Sequence, residues 1–239
     1  MSSRNSQIKF LNMVMAISIC SCVSLAEEVN FVSWDLKERG WEEVLFEGKT
    51  PNKFSGCGKG CIKIDTNLSV SMIGRKIDID LQATPILTWE WRVEKPVTVT
   101  DLTIKGKDDR AAALYVTFPY DPKKASLSEK LLRPMVELKR GENAPGRVIS
   151  YVWAGYGAPD EVIDSPFFGS AGAIIIRRNQ SEKIGEWVDE RVDVASDYRR
   201  IFGMPPNRAN YIFVAGDSDD THTSNQALLR NIQFSRRKK

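Results

Sequence analysis

Two short acidic clusters carry the residues of the 239-residue chain that are best suited to chemistry. Each cluster adjoins a predicted strand: Asp108 and Asp109 precede residues 112–118, and Asp217, Asp219 and Asp220 follow residues 211–216. Carboxylates in loops at strand ends can hold calcium, which takes about six to eight oxygen ligands. A carboxylate pair can also act as acid and base on a sugar. The alternative is that these aspartates cap turns and face water.

We expect the two clusters to lie close together and to form one site. Four or five neighbouring carboxylates repel one another unless a cation or a basic group lies among them. Arg110 and Arg191 are the predicted internal partners, and calcium is the predicted external one. Its predicted ligands are Asp217, Asp219 and Asp220, although their spacing lacks the glycine and the glutamate of an EF-hand loop.

Several standard catalytic sites are excluded by composition. The chain has one histidine, His222, so zinc sites built on paired histidines are absent. A Ser-His-Asp triad would have to use this loop histidine, and no Gly-x-Ser-x-Gly element accompanies it. No phosphate-binding glycine motif occurs, so nucleotide chemistry is not expected.

Aromatic residues give a second set of candidates. Trp89 and Trp91 share one face of a predicted strand with apolar residues, which favours core packing. Tyr115, Tyr151 and Trp153 lie in two other predicted strands. If these three side chains share the less buried face of one sheet, they form a platform on which a sugar ring can stack.

Cys57 and Cys61 bracket a flexible Gly-Lys-Gly segment, and we predict a local disulfide between them. A zinc site needs about four ligands, and too few are present. A redox pair usually has the spacing Cys-x-x-Cys, one residue shorter.

The remaining pattern is one of short alternating runs separated by turn residues, which predicts an all-β fold. We predict a single antiparallel β-sandwich of jelly-roll type over residues 27–239, with one short helix and long loops. The candidate strands are 41–46, 61–64, 68–73, 76–81, 86–93, 112–118, 148–154, 173–178, 186–193, 211–216 and 228–234. Two stretches favour helix: residues 127–138, where Pro134 limits the helix to one or two turns, and residues 195–202.

Residues 1–26 have the pattern of a secretory signal peptide. A basic start is followed by a short apolar run and by Ser24-Leu25-Ala26, a small-x-small exit that predicts cleavage before Glu27. The run is too short and too polar for a transmembrane anchor, so no span is expected after cleavage. A loose lipobox around Cys22 leaves lipid anchoring open. The predicted compartment is the periplasm or another exported location.

Charge gives no support for nucleic acid as a partner. The chain has 34 basic and 31 acidic residues, and the predicted signal removes two basic ones, which leaves 32 against 31. Nucleic-acid-binding domains are usually strongly basic.

A series of motifs resembles a known family. In order they are PILTWEWRV at 85–93, KDDRAAALYVTF at 107–118, ISYVW at 149–153, Trp187, DYRRIFG at 197–203, DSDDT at 217–221 and LRNIQF at 229–234. This series is similar to that of the bacterial envelope proteins grouped as domain of unknown function 3047, and it covers about residues 41–234. The resemblance implies an exported β-sandwich and no established activity. The family pattern has arginines where this chain has Ala113 and Val192, so a site built on those arginines is changed here.

Two functions are therefore expected from different classes. The first is an exported, non-catalytic module that binds a glycan or another envelope component. The second is a polysaccharide-active enzyme, a hydrolase or a lyase, that uses Asp108, Asp109 and either Asp217 or Asp219. A purely structural envelope protein is the remaining alternative. An enzyme needs two carboxylates across a groove, whereas a binding module needs aromatic and hydrogen-bonding groups on an open face.

Overall fold

The structure is a computed structural model that describes residues 31–141 and 144–238. Two β-sheets pack face to face around one main core. Within the described residues the strands are β1 Glu42–Val44, β2 Lys53–Gly56, β3 Ile62–Asn67, β4 Val70–Asp80, β5 Ile86–Lys95, β6 Arg110–Phe118, β7 Arg147–Ala154, β8 Val162–Ser165, β9 Gly169–Arg178, β10 Val188–Asp193, β11 Arg208–Asp217 and β12 Ser224–Ser235. The helices there are α1 Trp34–Glu38, α2 Leu127–Arg140 and α3 Val194–Phe202.

The larger sheet has seven strands in the order β1-β4-β11-β6-β7-β9-β8, and the smaller has five in the order β10-β5-β12-β3-β2. Neighbouring strands pair antiparallel, except that β7 and β9 run parallel. The predicted all-β sandwich of jelly-roll type is confirmed. Its non-local strand order brings together loops that are far apart in the sequence.

Strand β5 shows why the alternating runs form strands. Leu87, Trp89, Trp91 and Val93 are each at most 1% exposed, while the residues between them are only half-buried. Side chains of a strand alternate between its two faces, so one face of β5 packs into the core. Core packing of the two tryptophans is confirmed.

The predicted aromatic platform is wrong. Tyr151 and Trp153 lie on the inner face of β7, where their rings are 5.5 Å from Trp89 and 5.6 Å from Trp91, respectively, between ring centroids. Both are at most 2% exposed. Tyr115 pairs with Ser150 rather than with Tyr151, and it therefore points to the other face of the sheet. The register of β6 against β7 decides this, and register depends on contacts that one sequence does not display.

The prediction of one short helix is also wrong. Helix α2 has 14 residues and continues through Pro134. It begins at a capping box in which Ser126 and Glu129 satisfy each other's backbone N–H groups. Arg147 donates two hydrogen bonds to the Glu129 carboxylate, of 2.9 and 3.1 Å. These contacts anchor α2 to the start of β7 and offset the hydrogen bond that the proline removes.

The disulfide between Cys57 and Cys61 is present, as predicted. Among the described residues, no helix has the length and apolar character needed to cross a membrane. The predicted signal peptide at residues 1–26, its cleavage site and the alternative lipidation at Cys22 lie outside the described residues.

Candidate functional site

The two acidic loops meet at one end of the sandwich. Asp109, at the end of the loop 96–109, is fully buried and accepts hydrogen bonds from the loop 218–223. The donors are the backbone N–H groups of Asp220, at 3.3 Å, and Thr221, at 2.8 Å, together with the Thr221 hydroxyl at 2.5 Å. This carboxylate therefore ties the two loops together.

Arg110 joins Asp108 of the first cluster to Asp217 of the second. Its guanidinium lies 2.5 Å from an Asp108 carboxylate oxygen and 3.1 Å from an Asp217 oxygen. It also donates a 3.3 Å hydrogen bond to the Tyr115 hydroxyl, and its backbone N–H donates to Asp217 at 3.0 Å. The predicted role of Arg110 as an internal partner of the acids agrees with these contacts.

One guanidinium thus faces two buried carboxyl groups. Burial raises the pKa of Asp217 to about 7, although the Arg110 charge opposes the shift. Burial also raises the pKa of Asp108, again against the influence of Arg110. One positive charge balances one carboxylate, so the second is balanced most easily by a proton. The pair can therefore hold one proton near neutral pH.

A second group of carboxylates lies where the same two loops meet. Oxygens of Asp109, Asp219 and Asp220 lie within 4.8 Å of one another, which is a spacing that a cation can bridge. The Lys49 ammonium already forms an ion pair with Asp219. Burial raises the pKa of Asp220, and the nearby Asp219 and Asp109 charges raise it further. Lys49 would compete with a calcium ion for Asp219, and calcium binding stays a prediction.

Arg191 is not part of this cluster. It lies on the edge strand β10 opposite Thr88, near the start of β5. The acidic loops adjoin the other end of that sheet, where the end of β5 pairs with the start of β12. The predicted pairing of Arg191 with the acids is therefore wrong, because strand direction puts the residue at the opposite end.

A cleft of about 490 Å³ opens beside the joined loops. Its walls come from the loops 96–109 and 155–161, from the middle of the loop 218–223 and from strands β8 and β9. Apolar residues line part of it, namely Val99, Leu102, Ile163 and Ile176. Tyr156 lies at its edge with 68% of its surface exposed. The charged residues that line it are Asp101, Lys107, Glu161 and Asp220.

Hydrogen bonds hold two of the charged side chains of the cleft, Asp101 and Glu161. Thr103 donates two hydrogen bonds to Asp101, of 2.6 Å from its hydroxyl and 3.0 Å from its backbone, and these lower the pKa of Asp101. The Ala158 backbone N–H donates to Glu161 at 2.9 Å. Asn179 donates to the Gly157 carbonyl at 2.6 Å. Hydrogen bonds of the protein itself thus hold the two larger loops of the cleft.

Sequence reasoning did not find Tyr156, Asp101 or Glu161. A signal for Tyr156 was present, because a tyrosine between two glycines in a loop has little to pack against. The two acids gave no such signal, since their position beside Tyr156 depends on how the loops fold.

The fold has distant similarity to several solved structures. The xyloglucanase domain of NopAA, a type three effector from Sinorhizobium fredii, aligns with a TM-score of 0.45 and 10% identity over 83% of this chain and 95% of that one. Endoglucanase cel12A from Rhodothermus marinus aligns with a TM-score of 0.44 and 9% identity over 84% of this chain and 93% of that one. CBM28, a carbohydrate-binding module specific for non-crystalline cellulose, aligns with a TM-score of 0.37 and 12% identity over 83% of this chain and 88% of that one.

Sequence comparison gives a family. No curated protein matches the chain. The family model described as "Protein of unknown function (DUF3047)" matches residues 39–233, which is most of the chain and agrees with the resemblance of the motifs. The chain belongs to the DUF3047 family.

Proposed function

We propose that this protein is an exported, non-catalytic module that binds a glycan in the cleft between the loops 96–109, 155–161 and 218–223. The observation that carries the proposal is the composition of the cleft. An exposed tyrosine ring, an apolar surface and fixed carboxylates converge on a space of about 490 Å³.

These groups suit the two surfaces of a sugar ring. The Tyr156 ring can pack on the apolar C–H face of the ring. Asp101, Glu161 and Asp220 can accept hydrogen bonds from the hydroxyl groups at its edge, and charged acceptors make the stronger bonds. The volume falls within the roughly 300–1,000 Å³ that is usual for small-ligand sites.

Binding is favoured over catalysis by the state of the buried acids. Asp108 and Asp217 have raised pKa values, but both contact Arg110 and their side chains are 4% and 12% exposed. The pKa of Asp220 in the cleft is also raised, but of the two carboxylates grouped with it, Asp219 is paired with Lys49 and Asp109 is buried. Asp109 is fully buried, and both of its oxygens accept hydrogen bonds from the loop 218–223. These groups hold the cleft in shape rather than face a ligand.

Calorimetric titration with soluble oligosaccharides of glucose, of N-acetylglucosamine and of uronic acids tests the proposal. At least one set is expected to bind, and Tyr156→Ala should weaken that binding by about tenfold or more, because truncating an aromatic anchor removes a large part of a contact's energy. Trp34→Ala is the matched control, since Trp34 is 73% exposed on α1 and does not line the cleft.

Two results would contradict the proposal. If no oligosaccharide binds, or if Tyr156→Ala binds as the unaltered protein does, the cleft is not a glycan site. If the bound oligosaccharide is shortened during the titration, the protein is an enzyme and not a binding module.

A further inference from the structure

Helix α2 turns an apolar face to solvent. Leu127, Leu131 and Met135 are 83%, 79% and 58% exposed. They are spaced four residues apart, so they form one continuous stripe along the helix. A surface helix normally turns its apolar face to the core and its charged face to water.

The opposite face of α2 holds the helix to the domain through polar contacts. Glu129 binds Arg147, as described above, and Arg133 donates hydrogen bonds to the carbonyls of Ala144, at 2.9 Å, and Pro145, at 3.2 Å. The side chains of Glu129 and Arg133 are 8% and 10% exposed. Residues two apart on a helix point in different directions, so these contacts keep the stripe outward.

The surroundings of the stripe are basic. Residues 119–147 contain seven Lys or Arg and four Asp or Glu, a net charge of +3. Glu129 is paired with Arg147 and Glu137 with Arg133. Lys123 and Lys130 are exposed beside the stripe. Two copies of this face would repel each other, whereas an anionic surface would attract it.

We propose that α2 docks on the surface of an anionic lipid bilayer, with Leu127, Leu131 and Met135 inserted at the boundary between headgroups and acyl chains. An apolar stripe with lysines beside it is the composition of helices that lie in this interface. The proposal does not depend on the glycan site, because α2 follows β6 whereas the cleft adjoins its beginning. A strand of nine residues separates the two by roughly 30 Å, so docking through α2 turns the cleft away from the bilayer.

The test uses the full chain with two kinds of vesicle, phosphatidylcholine alone and phosphatidylcholine mixed with phosphatidylglycerol. Hydrogen exchange is measured on the peptide that covers α2, so that contacts made elsewhere in the chain do not enter the result. The mixed vesicles should slow exchange in α2 at low salt, and pure phosphatidylcholine should do so less. Leu131→Ser should raise the lipid concentration needed for this protection about tenfold, because the variant lacks one leucine that would be buried in the bilayer.

Two further variants separate the contributions. Ile184→Ser is the matched apolar control, since Ile184 is 57% exposed in a different loop, and it should leave the protection of α2 unchanged. The double variant Lys123→Glu, Lys130→Glu should reduce protection most at low salt, where charge is least screened. Near-UV circular dichroism checks that each variant is folded.

Three outcomes overturn the proposal. The first is no vesicle-dependent protection of α2 in the unaltered protein. The second is equal protection by the two kinds of vesicle. The third is a dimer in solution that Leu131→Ser dissociates, which would make the stripe an interface between two copies of this chain.

Discussion

At the scale of single residues, Arg110 determines what the acidic end of the sandwich can do. Its guanidinium lies between Asp108 and Asp217, and its own side chain is 6% exposed. Breaking a buried ion pair by removing one partner is strongly destabilising, because the other charge stays buried. The arrangement thus supports the loops beside the cleft while leaving one carboxyl group able to take up a proton.

The pH dependence of stability should reveal that proton. The pKa of Asp217 is about 7 in the folded protein and 3.8 in an unperturbed aspartate, so the folded state holds the proton more tightly. Stability from this group is greatest below about pH 4 and is lost as the pH rises through about 7. Between about pH 5 and pH 8, the free energy of unfolding should fall by roughly 2–3 kcal/mol more in the unaltered protein than in Asp217→Asn.

Urea unfolding at both pH values measures this difference. A constant offset between the two proteins cancels, because only the change with pH is compared. Asp219→Asn, where the same two loops meet, is the control and should follow the unaltered protein. A parallel pH dependence in the unaltered protein and Asp217→Asn would show that Asp217 is ionised throughout.

At the scale of elements, most strands could be predicted, whereas the four-residue strands β2 and β8 could not, and the long strand β4 was predicted as two strands, 68–73 and 76–81. The alternation at 86–93 predicts β5, observed as Ile86–Lys95, because one face must be apolar wherever a sheet covers a core. Strand β2 was missed, since Lys-Phe-Ser-Gly carries no alternation long enough to recognise. It forms because Phe54 is buried and pairs with Ile64 of β3.

The site divides in the same way. That the acidic residues adjoin strand ends could be predicted, because each cluster follows or precedes an apolar run. The sheet order decides which strand ends are neighbours. The cleft beside Tyr156 therefore could not be predicted from the sequence. The face of the sheet toward which Tyr151 points depends on the strand register, because a shift of one residue would move the side chain to the other face.

Helix α2 gives a prediction at this scale, because Pro134 lies well inside it. Proline lacks the N–H that would bond to the residue four before it, and its ring crowds that turn. Pro134→Ala should therefore stabilise α2 by about 1–3 kcal/mol and slow amide exchange in its second half. Lys130→Ala, on an exposed position before the proline, should change exchange little.

Hydrogen exchange on a peptide that covers α2 measures the effect directly, since local opening need not alter global unfolding. Unchanged or faster exchange in Pro134→Ala would mean that the backbone conformation imposed by the proline is itself required for the contacts of Glu129 and Arg133.

At the scale of the whole molecule, the strand directions put two surfaces at opposite ends of the larger sheet. The loops of the cleft adjoin the beginning of β6 and the end of β7, and α2 connects the other ends of these strands. A module that binds a lipid surface through α2 would have its cleft on the side that faces away from the bilayer. The proposal of an exported glycan-binding module requires that the chain leaves the cytosol.

Export gives the last prediction, which concerns the mature N-terminus and the disulfide together. The described residues begin at 31, and Val32 pairs with Phe54. Cleavage after Ala26 therefore removes none of the contacts that the structure describes. Protein isolated from the periplasm should therefore begin at Glu27, and its mass should be lower than that of the reduced chain by two hydrogens, because Cys57 and Cys61 are joined. Intact mass, with and without alkylation of unreduced protein, measures both. Cys57→Ser is the control for the thiol count and should leave one alkylatable group. An acylated N-terminal Cys22 would replace cleavage by lipid anchoring, and two free thiols in freshly isolated protein would contradict an oxidising compartment.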